Sequence, residues 1–293
     1  MMLKKLPIGA RVLEPRSKLV FLVAGYEGHA AEGAIPMISE RVTTAASFDA
    51  AEPLHEEADK YDGYKKYGFN NYEKSNVHLW LNSTDKVWYK PQHETDAPPE
   101  KENTRYGEMP AVEQEGYLRR FSDAFLNALA LTDVPVLTRT ARNEGEIHYV
   151  KAKMYLPSRT EVIKGDESGF AEGRPLPICY DPGKVCMIQP TDEDMEKYGS
   201  SWNPPYEGAP MGAPQIYDPK YAWWYFLRTP SLQYGFLVRN IASYGALSYT
   251  YANNDIVGIR PMCNLYAETE VELEHPMMPG PNGVDVRLYS IKA

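Results

Sequence analysis

Residues 221–265 constrain the fold more than any other stretch, because β-forming and polar residues alternate there twice around a glycine. Residues 236–241 read Phe-Leu-Val-Arg-Asn-Ile and residues 246–251 read Ala-Leu-Ser-Tyr-Thr-Tyr. Both suit strands that are half buried. Ser243-Tyr244-Gly245 supplies a turn between them, with Gly245 free to take positive φ. Residues 256–263 predict a further strand, and Pro261 then falls at an edge or bulge because it has no N–H for a ladder. The aromatic run ahead of the hairpin, residues 223–230, and the apolar run after it look fixed by packing.

The hairpin itself looks chosen for contact. It is rich in Tyr, Ser, Asn and Gly, the residues of antibody binding loops, where Tyr gives contact area at low entropy cost and Ser and Asn give adaptable hydrogen bonds. The expected contact residues are Ser231, Gln233, Tyr234, Phe236, Asn240, Ser243, Tyr244, Ser248, Tyr249, Tyr251, Asn253, Asn254 and Asp255. Many of them alternate along a strand, where one exposed face lies. Trp80, Trp223, Trp224, Arg228, Gly258 and Arg260 are expected to form the frame. An Arg fork could also pair with an anionic ligand, but Arg228 and Arg260 sit inside apolar motifs and read as structural.

The pattern Trp-Trp-x-x-Leu-Arg-Thr-Pro, a Val-Arg strand, Gly-Ala-Leu, then Gly-Ile-Arg-Pro resembles the C-terminal signature of the DUF6273 proteins of gut Firmicutes and their phages. Further elements follow in the family's order: Pro7-Ile8-Gly9-Ala10-Arg11-Val12, Ser75-Asn76-Val77-His78-Leu79-Trp80-Leu81-Asn82, and Met154-Tyr155-Leu156-Pro157-Ser158 with Glu161. The chain departs from the signature where Tyr225-Phe226 lengthens the Trp-Trp-Leu-Arg run and where Met262-Cys263 follows Pro261.

That family is similar to the C-type-lectin-like fold of formylglycine-generating enzymes and of the variable proteins of diversity-generating retroelements. The resemblance implies a single α+β, C-type-lectin-like domain over residues 1–293, with small mixed sheets, two main helices and long loops. Residues 221–265 are its variable segment. In the retroelement proteins, adenine-directed mutagenesis of AAY codons never yields Lys, Glu, Met, Gln or Trp. Residues 232–257 contain no Lys, Glu, Met or Trp, and their single Gln is Gln233.

The chain has 293 residues, a net charge of −9 and 43% hydrophobic residues, enough for a sizeable core. The acidic balance argues against nucleic acid and anionic membrane as partners, since both call for basic patches. No apolar run is long enough to span a bilayer. Met1-Met2-Leu3-Lys4-Lys5-Leu6 begins like a signal peptide, but Pro7 and Arg11 interrupt the apolar region, so none is evident.

In chain order, residues 19–24 and 38–44 predict strands, with residues 28–36 as a loop between them. Ser75 opens a short helix that places Val77, Trp80 and Leu81 on one face. Residues 82–115 read as an acidic surface excursion. Residues 116–131 give the clearest helical spacing, with Ser122 internal. Residues 134–140 and 146–154 predict strands, and Ser158 with Glu161 makes a capping box.

Chemistry-bearing motifs are sparse. There is no HExxH, phosphate-binding loop, dinucleotide fingerprint or Gly-x-Ser-x-Gly, and the six histidines are scattered. No metal, cofactor or catalytic residue is therefore expected. Cys179, Cys186 and Cys263 are expected to be buried free thiols; the alternative is a redox or copper site.

The reading that follows is a non-enzymatic binding protein displayed on a phage tail or a cell surface. Its partner would be a protein or glycan receptor on a target cell, and a phage-tail protein would be a trimer. The alternatives are a sulfatase-modifying enzyme of the formylglycine-generating type and a structural virion module.

Overall fold

The computed structural model describes residues 1–56, 63–107, 115–138, 145–163, 165–180, 224–242, 246–279 and 285–292. Strands β1 (Arg11–Leu13), β2 (Val20–Val23) and β3 (Ala34–Ser39) pair antiparallel in succession. The run Val20-Phe21-Leu22-Val23 is apolar throughout because β2 is central in its sheet and largely buried. Strand β4 (Thr44–Ala45) follows, then helices α1 (Tyr64–Tyr67), α2 (Asn76–Leu81) and α3 (Asp123–Ala128). Strands β5 (Thr132–Thr138) and β6 (Glu146–Ala152) form an antiparallel ribbon. After β7 (Met154–Tyr155) come helices α4 (Arg159–Val162) and α5 (Pro177–Tyr180).

The C-terminal part supplies β8 (Tyr225–Pro230), β9 (Leu237–Ile241), β10 (Leu247–Tyr251), β11 (Gly258–Ile259), β12 (Met262–Tyr266), β13 (Val271–Pro279) and β14 (Asp285–Ile291). A seven-stranded sheet runs β13-β14-β1-β2-β3-β12-β7, and a five-stranded sheet runs β10-β9-β8-β11-β4. The pairs β1/β14 and β8/β11 are parallel; the others are antiparallel. Among the described residues the chain is thus mixed α+β, mostly sheet, with few and short helices.

The sheets meet at a corner that two neighbouring segments turn together. Residues 40–43 carry the chain from β3 to β4, and Arg260 with Pro261 carry it from β11 to β12. Met262 pairs with Ile38 on one side of the corner, and Ile259 pairs with Thr44 on the other. A continuous strand over residues 256–263 was expected. Instead it breaks at Pro261, which cannot continue a ladder but whose carbonyl accepts from Ser39 N at 2.9 Å. Arg260 fixes the bend, with its Nε donating to Ser39 O at 3.0 Å.

Three other expectations need correction. Strand β3 begins at Ala34 and includes Pro36, so the loop expected over residues 28–36 ends before Ala34; the Pro36 carbonyl still accepts from Ala24 N at 2.8 Å. The helix expected over 116–131 is a 3-10 turn (Tyr117–Arg120) followed by α3, and Ser122 is the cap of α3 rather than internal. Glu14 explains the break: its buried carboxylate accepts from Ser122 N at 2.8 Å, which removes that N–H from a helical ladder. Ser122 Oγ then accepts from Phe125 N. Cys179 is disulfide-bonded, so it is not a free thiol, whereas Cys263 is free and buried. Cys186 lies outside the described residues.

Side chains from both sheets and the helices share one apolar cluster. Phe21, Phe121 and Phe125 stack between β2 and α3, with centroids 4.9–6.2 Å apart. Trp80 meets Tyr117 edge-on at 5.0 Å and satisfies its indole N–H on Glu115 O at 3.0 Å.

Candidate functional site

Strand β8 is buried at every position, and Arg228 is its anchor. The guanidinium donates to Pro135 O (2.9 Å), Leu156 O (2.8 Å), Glu172 O (2.8 Å) and both carboxylate oxygens of Glu161 (2.6 and 3.0 Å). Burial opposes the Arg228 charge, but the attraction and hydrogen bonds of Glu161 outweigh it, so its pKa stands above the ordinary arginine value. Glu161 is itself held by the Ser158 capping box at the start of α4. Arg228 therefore ties β8 to α4 by an ion pair, and to β5 and the residue after β7 by hydrogen bonds. Burial also pushes the Glu172 carboxyl up.

From this base the chain turns out to the edge of the five-stranded sheet. Asn70 secures the turn, its Nδ2 donating to Tyr234 O and Leu237 O, each at 2.9 Å. Gly235 has no room for a side chain, since a Cβ there would lie 2.4 Å from Tyr64 Oη. Strands β9 and β10 pair in register, with Arg239 opposite Tyr249 and Asn240 opposite Ser248. Strand phase sorts the side chains. Val238, Asn240 and Thr250 point inward and are buried. Arg239 and Tyr249 share the opposite face, where Tyr249 is 52% exposed and Arg239 lies 5.8 Å from its ring. Arg239 is braced from below by Glu167, which also takes Arg159.

The expected contact residues therefore divide. Gln233 and Tyr249 are exposed, and Tyr234, Phe236, Ser248 and Tyr251 are half-buried. Ser243 and Tyr244 lie outside the described residues, as does Trp223 of the expected frame. Ser231, Asn240, Asn253, Asn254 and Asp255 are buried, which corrects their placement on an exposed face. For Asn253, Asn254 and Asp255 the cause is backbone satisfaction. Asn253 Nδ2 donates to Lys66 O at 3.1 Å, and Asn253 O accepts from Arg105 N at 2.9 Å. Asn254 Nδ2 donates to Thr250 Oγ1 at 3.0 Å, and Asp255 Oδ1 accepts from Tyr106 N at 3.0 Å. The Asn-Asn-Asp run is a connector beneath the hairpin. Trp80, Trp224, Arg228, Gly258 and Arg260 are buried.

The structure adds residues that sequence reasoning missed. Tyr67 stacks on Tyr251 at 4.2 Å and 12°, and Phe236 lies 5.0 Å from Tyr67 and 5.3 Å from Tyr234. Arg105, from the excursion read as mere surface, lies 4.6 Å from the Tyr251 ring centroid, and Lys66 lies 5.1 Å from that of Tyr67. The result is an aromatic strip with two cations, assembled from three segments. The repeat Gly63-Tyr64-Lys65-Lys66-Tyr67-Gly68 was a signal for it: two glycines at positive φ bracket two tyrosines at helical spacing.

A model of the domain of unknown function DUF6273 matches residues 42–267, which span the corner, the frame and the hairpin. This chain belongs to the DUF6273 family. Pro7-Ile8-Gly9-Ala10-Arg11-Val12 falls outside the matched part. Neither the curated proteins nor the solved structures give a match. Among the described residues of this DUF6273 protein no His, Cys, Asp and Glu group has the arrangement to hold a metal ion, and no helix is long and apolar enough to cross a membrane. The Cys263 thiol is buried in apolar surroundings that push its pKa up, away from the reactive thiolate.

Proposed function

We propose that this DUF6273 chain is a non-enzymatic receptor-binding protein with a C-type-lectin-like fold, whose variable contact face is the outer side of the β9–β10 hairpin with the adjoining aromatic strip. The observation that carries the reading is the division of one sheet. Strand β8 is locked by a buried ion pair, while the edge hairpin leaves Tyr249 exposed and Arg239 partly exposed beside the half-buried aromatics. Such a frame tolerates change on the outer face because those side chains make few core contacts. The residue bias of positions 232–257 fits diversification by a retroelement.

The partner in this reading is a protein or glycan receptor on a target cell, met from a phage tail, as a trimer, or from a cell surface. Sequencing the DNA around the gene tests the diversification. A reverse-transcriptase gene and a near-copy of the codons for residues 223–261, differing only at adenines, is the expected result. A locus without either removes the retroelement from the account. Binding itself is tested by Tyr249→Ser, which should abolish or redirect attachment to the target cell in a protein that remains folded.

A further inference from the structure

A second concave site lies away from the hairpin, between the loop after β2, the start of β5, and the segment after α4. It has a volume of ≈ 240 Å³, below the ~300–1,000 Å³ of pockets that hold drug-sized molecules. That is room for one six-membered ring with its substituents. Its buried side is polar. Tyr155 and Glu161 line it, and both are almost fully buried.

Glu161 Oε2 accepts from Ser158 N and Arg228 Nη1, whereas among the described residues Oε1 accepts from Arg228 Nη2 alone and keeps lone-pair capacity. Gly173 leaves that oxygen uncovered. A Cβ at Gly173 would lie 2.8 Å from Glu161 Oε1, and its φ of +99° also favours glycine. Tyr155 Oη accepts from Asn264 Nδ2 at 2.9 Å, with its own proton left to donate.

The charges of the site cancel. Glu161 is neutralised by Arg228, and Asp133 on the rim by Lys151 at 2.8 Å. Glu32 and Arg174 contribute one charge of each sign. A site of zero net charge with spare acceptors, a phenol donor and an Arg fork selects hydroxyl groups over a free ion. Tyr149 completes it: the ring lines the cavity and is 68% exposed, a flat apolar surface for a ring face.

We infer that this cavity binds one neutral, polyhydroxylated ring, a single monosaccharide unit. The inference does not rest on the hairpin, and its test separates the two sites. Saturation-transfer NMR would be run on the full chain with glucose, galactose, mannose, N-acetylglucosamine and N-acetylgalactosamine, and with glycine and alanine as zwitterions. At least one sugar should show transfer at millimolar concentration. The signal should vanish in Tyr149→Ala, weaken by about tenfold, equivalent to 1.4 kcal/mol, in Arg174→Ala, and persist in Tyr249→Ser. Both substituted side chains are exposed, so circular dichroism should show folded variants. No transfer from any sugar overturns the inference. So does transfer that survives both cavity variants, transfer lost only in Tyr249→Ser, or binding of the amino acids alone.

Discussion

Strands β8 and β9 are neighbours in one sheet and each carries an arginine, yet the two arginines have opposite lives. Arg228 is fully buried, with five hydrogen bonds to protein acceptors. Arg239 is partly exposed, braced by Glu167 and lying beside the Tyr249 ring. Residue type does not separate them; position in the sheet does. Strand β8 is buried at every position, whereas β10 is the edge strand of the sheet and, in β9 beside it, Arg239 alone is not buried. Freedom to vary is therefore confined to Arg239 and the outward phase of β10.

The sharpest way to break the comparison is Arg228→Ala. Removing one partner of a buried ion pair typically costs about 3–5 kcal/mol, so thermal melting should show a protein close to unfolding. A melt near that of the parent would mean that β8 is not the frame. Tyr249→Ser should do the reverse. Stability should change by no more than about 0.5 kcal/mol, while affinity for the target should fall by about 2 kcal/mol or more if Tyr249 is a hot spot. Asp255→Ala lies between the two in kind. It removes the acceptor of Tyr106 N–H and should cost about 1–3 kcal/mol of stability, which places the connector with the frame. Smaller still is the Tyr67–Tyr251 stack. A double-mutant cycle to Ala should give a coupling of about 0.5–1.5 kcal/mol; zero coupling would show that the strip is only a surface coincidence.

The excursion that delivers Arg105 is itself latched to the body. His93 Nε2 meets the buried Glu52 carboxylate at 2.7 Å, and Thr95 Oγ1 donates to it at 2.7 Å. The hydrogen bond to Glu52 raises the His93 pKa above the ordinary histidine value. Burial opposes the Glu52 charge, yet its partners outweigh that and hold its pKa below the usual carboxylate range. His93 thus contributes stability that is fully present below the ordinary histidine pKa and is lost as pH rises through its folded value. Glu52 contributes stability that is lost as pH falls through its folded value. In His93→Gln the alkaline-side decline in melting temperature should flatten. An unchanged pH profile would mean that the latch is mechanically idle.

Much of this architecture was legible in the sequence. The β2 run, the β5 and β6 strands, the Ser75 and Ser158 caps and the β9–β10 pairing all follow from local pattern. What was not legible depends on partners far along the chain. Glu14 breaks the helix at Ser122 from 108 residues away. Arg228 and Arg260 read as structural, but their acceptors could not be named. Asn253, Asn254 and Asp255 looked like contact residues because a polar side chain that satisfies hidden backbone has the same composition as one that meets a ligand. Tyr67 and Arg105 were missed because the strip joins segments that share no local pattern.

The most direct test of the central claim is a display library in which Gln233, Arg239 and Tyr249 are randomised together on an otherwise unchanged chain. Its members would be scored for thermal melting and for binding to a set of unrelated proteins and glycans. The account predicts that most members melt near the parent temperature, and that binders of new specificity emerge without changes elsewhere. A library that mostly unfolds, or a folded library from which no binder can be selected, would contradict it.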